Sequence, residues 1–244
     1  MRKSYTQAPE DRLRIESIET DELWHAIIEA VDRVWSPPCP QKVLEIGCGS
    51  GRFLQWLDRS GHYVQGVEAS RTLLRKARMR LPERIVLWEA FPESLPFEAK
   101  SFDTVFFVLS LEYTADVTKA TREAFRVARS SVIVVYFNAY SPSYWFTKLS
   151  GWLMKNPAMV NCRTISPGSL AAMMKSAAGI PLRVSHEPVR WRDMGVGAIV
   201  LAPVIVTRFD LAHQIIRPLP VSTATPRRHF VPSPSSFGKL RANM

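Results

Sequence analysis

The sequence predicts one doubly wound α/β domain with appendages, its mostly parallel sheet covered by helices on both faces. Three observations carry that expectation. From Lys42 onward, short apolar runs alternate with helix-period segments, the pattern of strands joined by crossover helices. Residues 43–51, VLEIGCGSG, end one such run with a carboxylate and three glycines on alternate positions. The 244 residues suffice for one sizeable core but would cramp two full domains, and 46% hydrophobic with 22% charged residues is ordinary for a globular chain.

In chain order, residues 20–35 place Leu23, Ile27, Ala30, Val31 and Val34 at helical spacing behind Thr20 or Asp21 as N-cap. Ser36-Pro37-Pro38-Cys39-Pro40 stops that helix, because proline cannot continue the hydrogen-bond ladder. Strands are expected at Lys42–Ile46, Tyr63–Glu68, Ile85–Trp88, Phe102–Leu109 and Ser131–Phe137, with helices near 51–60, 70–80 and 116–128 between them. An aromatic-rich insertion at about 138–165 carries Tyr140, Tyr144, Trp145, Phe146 and Trp152. A helix from Ser166 to Ala178 and strands at Leu182–His186 and Gly197–Val206 bring the expected strand count to seven. The organisation is therefore an N-terminal segment at 1–41, the α/β domain at 42–207, and a basic, Pro- and Ser-rich tail at 208–244 that is expected to be disordered.

A formal charge of +10, from 32 Lys and Arg against 22 Asp and Glu, fits a solvated basic face plus a basic tail, or a surface for an anionic partner. Five of those cations, Arg71, Arg75, Lys76, Arg78 and Arg80, share one helix. The 3 cysteines, Cys39, Cys48 and Cys162, have no CxxC spacing and follow no leader, so a reducing cytoplasm is expected. No apolar run approaches the roughly 18–20 residues of a membrane span. No His/Cys cluster has metal-ligand spacing, and no metal is expected.

A strand ending in Glu45 and then Gly47-x-Gly49-x-Gly51 before a helix lets backbone atoms approach a nucleotide-like ligand without Cβ atoms in the way. A dinucleotide fingerprint would require its third glycine at position 52, which is Arg52. The segment Glu45 to Gly51 instead resembles the first motif of class I S-adenosylmethionine-dependent methyltransferases. Three further segments follow in that family's order: Val67-Glu68-Ala69-Ser70, Trp88-Glu89-Ala90-Phe91 running on to Leu95-Pro96-Phe97 and Phe102-Asp103, and Leu109-Ser110-Leu111-Glu112-Tyr113. The resemblance covers about 42–137 and extends weakly to about 206. It is to the type 11-like members, similar to the methyltransferases of ubiquinone and menaquinone biosynthesis.

The resemblance implies a Rossmann-like, seven-stranded sheet with an antiparallel last strand, and S-adenosylmethionine as cofactor. It implies a cradle of Glu45, Gly47, Cys48, Gly49 and Gly51, with Glu68 and Ala69 at the ribose, Glu89, Ala90 and Phe91 at the adenine, and Ser110 beside the methionine part. Glu89 stands where the family more often has aspartate. Glu112 and Tyr113, where many relatives carry histidine, are the candidates for a catalytic base, which the sequence leaves undetermined.

The expected acceptor is a small molecule, lipid-like or quinone-type, because aromatic residues of the insertion suit an apolar or planar group. The basic balance leaves RNA or protein methylation as a second reading, with nucleic acid a less favoured partner. A cofactor-binding scaffold without turnover is a third. The insertion's aromatics and lysines also leave peripheral membrane contact open. Pro38-Cys39 precedes the first strand, where a cytosine carbon-5 methyltransferase would carry its Pro-Cys after the fourth, and no Asn-Pro-Pro-Tyr-like segment follows Leu109, so base carbon-5 and adenine-amine chemistries have no support.

Overall fold

The computed structural model describes residues 21–142, 145, 163, 165–189 and 202–211. Tyr144, Phe146, Trp152 and Cys162, together with the tail beyond residue 211, lie outside the described residues. So do residues 1–20 and 197–201.

The first helix, α1 (Asp21–Val34), has acids in its opening turn and Arg33 in its last, matching the polarity of the helix dipole. Its stripe of Leu23, Trp24, Ala26, Ile27, Ala30 and Val31 is buried. The elements that follow are β1 (Lys42–Ile46), α2 (Arg52–Arg59), β2 (Tyr63–Glu68), α3 (Arg71–Arg80), β3 (Val86–Glu89) and β4 (Phe102–Val108). A 3-10 turn at Leu111–Tyr113 leads to α4 (Val117–Val127), β5 (Ala128–Phe137), α5 (Pro167–Ala178), β6 (Leu182–Pro188) and β7 (Val204–Leu211). The caps are local and legible. Ser70 accepts from the Leu73 amide, Asp116 from the Lys119 amide, and Ser166 and Ser169 form a reciprocal box with Pro167 in the first turn.

The strands form one sheet in the order β3-β2-β1-β4-β5-β7-β6. Pairs among β1 to β5 are parallel, while β7 is antiparallel to both β5 and β6. Chain order reverses between β1 and β4, so the crevice at their carboxyl ends is where such a sheet binds ligands. One core cluster joins α1, α2 and α3 to one face through residues such as Ile27, Phe53, Leu54 and Ala77. The other joins α4 and α5 to the opposite face through Ala120, Phe125, Leu170 and Met174. Each fully buried Ile, Leu, Val or Phe in these layers contributes about 1.5–3 kcal/mol of transfer free energy.

Several strand boundaries differ from expectation: β4 ends at Val108, β5 begins at Ala128, three residues ahead of Ser131, and β6 runs on to Pro188. β3 starts at Val86 and takes in Glu89, one residue later than expected. The last strand begins at Val204, where a start at Gly197 was expected, and runs on to Leu211, past the point where the tail was expected to begin. The reason is alternation: Ile205, Thr207, Phe209 and Leu211 line one buried face, while Arg208 and Asp210 pair with each other between them. Arg208 also donates to the Val34 carbonyl at 2.7 Å, satisfying the end of α1. Charges that read as tail therefore belong to a strand.

Gly66 on β2 marks the tightest approach behind the glycine loop. A Cβ there would meet Leu54 Cδ1 at 2.6 Å, Cys48 Sγ at 2.8 Å and Leu87 Cδ2 at 3.0 Å. Gly66→Ala is therefore expected to destabilise the fold by about 1–3 kcal/mol, the cost of overpacking, measured as a lower urea midpoint at unchanged slope.

Candidate active site

The glycine loop crosses from β1 to α2 with φ of 71° at Gly47, 56° at Gly49 and 81° at Gly51, the left-handed region that glycine alone enters without strain. The amides of Gly47 and Cys48 both donate to the Val67 carbonyl, at 2.7 and 3.0 Å, which ties the loop to β2. Glu68, buried at the end of β2, completes the tie. One of its carboxylate oxygens accepts the Gly49 amide and the other the Ser70 amide, each at 2.9 Å. A carboxylate offers about four acceptor directions, and these two amides take two of them.

Ser110 follows Leu109, whose φ of 47° is a strained value for a branched side chain and sits at the carboxyl end of β4. That kink turns the Ser110 hydroxyl to donate to the Ile46 carbonyl at 2.8 Å, so the exit of β4 is bound to the exit of β1. Glu45 is buried one residue before that carbonyl. Gly47, Cys48, Gly49, Glu68, Ala69 and Ser110 are thus gathered at one crevice, with Glu89, Ala90 and Phe91 at the end of the neighbouring β3. Phe91 is 52% exposed, available as a flat wall.

Gly51 has another duty. A Cβ on it would lie 2.6 Å from Leu81 Cδ1 and 3.3 Å from the Ala77 Cβ, so it lets α3 pack against the loop. Four residues that sequence reasoning passed over complete the frame. Arg80 donates to the Ser50 hydroxyl at 2.7 Å, Arg71 pairs with Glu89 at 2.7 Å, and Leu81 and Gly66 press on the loop from behind. The two arginines lay in a helix read as a basic face, and only their partners reveal them.

Of the catalytic candidates, Glu112 is buried, and its Oε1 accepts the Phe137 amide at 2.9 Å. Its own carbonyl accepts the Arg163 amide at 3.1 Å. The residue thereby fastens three segments at the carboxyl edge. Burial, with the Glu112 charge adding to it, pushes the Tyr136 phenol up to about 12. Tyr113 shares the turn and is half-buried. Asn138 holds the exit of β5 by donating to the Ala202 carbonyl at 2.9 Å and accepting the Tyr140 amide at 3.0 Å. Beyond it Tyr140 and Trp145 are about half exposed, and the Trp145 indole donates to the Ala139 carbonyl at 2.7 Å, which fixes the ring.

Residues 44–136 match the methyltransferase-domain family. The chain carries a class I S-adenosylmethionine-dependent methyltransferase domain. A demethylmenaquinone methyltransferase from Roseiflexus castenholzii is 25% identical over 196 residues, 70% of this chain and 82% of that protein. The malonyl-[acyl-carrier protein] O-methyltransferase of Salmonella typhimurium is 31% identical over 94 residues, covering 38% of this chain and 37% of the relative. Among solved structures, an S-adenosylmethionine-dependent methyltransferase from Thermotoga maritima superposes with a TM-score of 0.56 at 24% identity, over 78% of this chain and 87% of that one. The seven-stranded mixed sheet is thus the fold of that solved methyltransferase, and S-adenosylmethionine is the cofactor the family implies. Among the described residues no helix is long and apolar enough to cross a membrane.

Glu112 invites a direct check of its anchoring role. Glu112→Gln keeps a carbonyl for the Phe137 amide and is expected to change stability by less than about 1 kcal/mol, whereas Glu112→Leu strands that amide and is expected to cost about 1–3 kcal/mol in chemical denaturation.

Proposed function

We propose that the enzyme transfers a methyl group from S-adenosylmethionine to a small, apolar acceptor of the quinone type. The observation that carries the cofactor half of this reading is the Glu68 carboxylate held by the Gly49 and Ser70 amides at the rim of the glycine loop. A carboxylate fixed there is suited to accept both ribose hydroxyls of an adenosine. Glu89 and Phe91 then flank the adenine, with the Arg71 pair keeping the Glu89 chain in place. Glu45, Gly47, Cys48, Gly49, Gly51, Ala69, Ala90 and Ser110 line the rest of the cofactor, with Gly51 also packing against Leu81.

The cofactor brings the electrophilic methyl group, so the chain's task is to bind, align and keep out water. Alignment falls to the β4 exit: the Leu109 kink and the Ser110 bond to Ile46 set where the acceptor meets the methyl end. Tyr140 and Trp145, just past the end of the neighbouring β5, offer flat apolar surface for a ring. The demethylmenaquinone methyltransferase that shares 196 aligned residues supports the same acceptor class.

Calorimetry and a turnover assay test the two halves separately. S-adenosylhomocysteine is expected to bind the purified chain, and Glu68→Ala to weaken that binding by roughly 1.5–3 kcal/mol, about tenfold or more in Kd. Unchanged affinity in a folded variant would remove Glu68 from the ribose. Methyl transfer is expected to a prenylated naphthoquinol in preference to malonyl-acyl carrier or RNA, read by mass spectrometry. Trp145→Ala should raise KM for the quinol more than it lowers kcat, and equal turnover on RNA would overturn the acceptor assignment.

A further inference from the structure

At the edge of the sheet opposite the glycine loop lies a cavity of about 640 Å³. It is formed by the α2–β2 turn (Asp58, Gly61, His62), the starts of β1 and β2, and the turn into β3 (Arg84 to Val86). The connection from β3 to β4, residues 90–101, contains no helix. A parallel sheet normally has both faces covered. Here Tyr63 is 72% exposed and Val86 45% exposed, at the end of β2 and β3 farthest from the cofactor crevice.

The polar lining is asymmetric. Asp58 is spanned by Arg84, whose Nε and Nη2 reach its two carboxylate oxygens, so its charge is met. Lys42 has an exposed side chain and no ion pair among the described residues; its ammonium lies 5.0 Å from the Phe102 ring centroid. The neighbouring Asp103 carboxylate takes the Lys42 backbone amide and the Arg129 guanidinium. His62 accepts the Gln41 amide on Nδ1 at 3.1 Å, and with Nδ1 so used the neutral ring carries its proton on Nε2, as a donor. Its ring is held against Trp35 at 4.8 Å between centroids. Lys42 and His62 thus line the cavity beside Tyr63, Ile85 and Val86, and its carboxylate, Asp58, is already met by Arg84. That volume suits a small ligand.

We propose that this cavity is a second small-ligand site, taking an anionic group, carboxylate or phosphate, on an aromatic or otherwise apolar body. Lys42 meets the charge, His62 donates to it, and Tyr63 and Val86 cover the ring. The site is separate from the methyl-transfer crevice, since Lys42 opens β1 and the glycine loop follows its other end. It does not rest on the identity of the methyl acceptor.

Phenyl phosphate is the probe, titrated into the full chain saturated with S-adenosylhomocysteine and followed by amide chemical shifts. Shifts are expected at Gln41, His62, Tyr63 and Val86, with Kd below about 1 mM, and with phenol and inorganic phosphate each at least about fivefold weaker. Lys42→Met should weaken phenyl phosphate by about fivefold or more and leave S-adenosylhomocysteine affinity unchanged. Tyr63→Ala, at a largely exposed position, gives a second variant with the same expected loss should the first fold poorly. Inorganic phosphate binding as tightly as phenyl phosphate, shifts confined to residues 47–51, or unchanged affinity in both variants would each overturn the proposal.

Discussion

The fold of the crevice depends on one carboxylate. Glu68 binds the Gly49 amide with one oxygen and the Ser70 amide with the other, joining the middle of the glycine loop to the start of α3. Both amides are otherwise orphans, one in a left-handed loop and one at a helix N-cap, and burying an unmade donor costs about 1–3 kcal/mol. A single side chain therefore settles two costs that the β1–α2 and β2–α3 turns would each incur alone. It also explains the spacing of loop, acid and cap along the chain: the loop closes on β1, the acid ends β2 beside it, and the parallel register Ile46 with Val67 brings them level.

The second half of the crevice is built on strain. Leu109 adopts a left-handed backbone while its amide still donates to the Val135 carbonyl at 2.9 Å, so the kink is held by the sheet it leaves. What the kink achieves is position: Ser110 turns back to the Ile46 carbonyl, and the 3-10 turn then carries Glu112 to the Phe137 amide. The exits of β1, β4 and β5 are in this way bonded to one another across the point where strand order reverses. A crevice whose walls are cross-linked can keep donor and acceptor aligned without a large set of dedicated catalytic groups.

Much of this was legible in the chain. Periodicity located α1, α4 and α5 within about two residues, because their apolar stripes and caps are local signals. The glycine loop and Glu68 were readable together, since their chemistry is carried by residue type and order. The β3 pair Arg71–Glu89 and the clasp of Arg80 on Ser50 were not, because an exposed arginine on a helix looks the same whether or not it has a partner. The end of β7 was hidden for a different reason: Arg208 and Asp210 are charged residues on an inner strand, tolerable only because they pair with each other and with the end of α1. Gly66 gave no signal at all, its role being fixed by side chains from three other elements.

Position 52 shows how the loop was adapted to one class of cofactor. A dinucleotide loop needs glycine there so that the helix can approach its strand, and in this chain that packing duty falls to Gly51, pressed against Leu81 and Ala77. Released from it, position 52 bears an arginine that pairs with Asp21 and lies over the Trp24 ring, 5.3 Å from its centroid. The leading helix α1, held by its buried apolar stripe, is thereby also tied at its start to the first residue of α2. Glycine at 52 would remove that pair and ring contact without creating a pyrophosphate site, because Leu81 would still occupy the space behind the loop, while α1 would stay held by its buried stripe of Ile27, Ala30 and Val31. The same substitution that excludes one ligand class therefore also ties down the start of the element flanking the other.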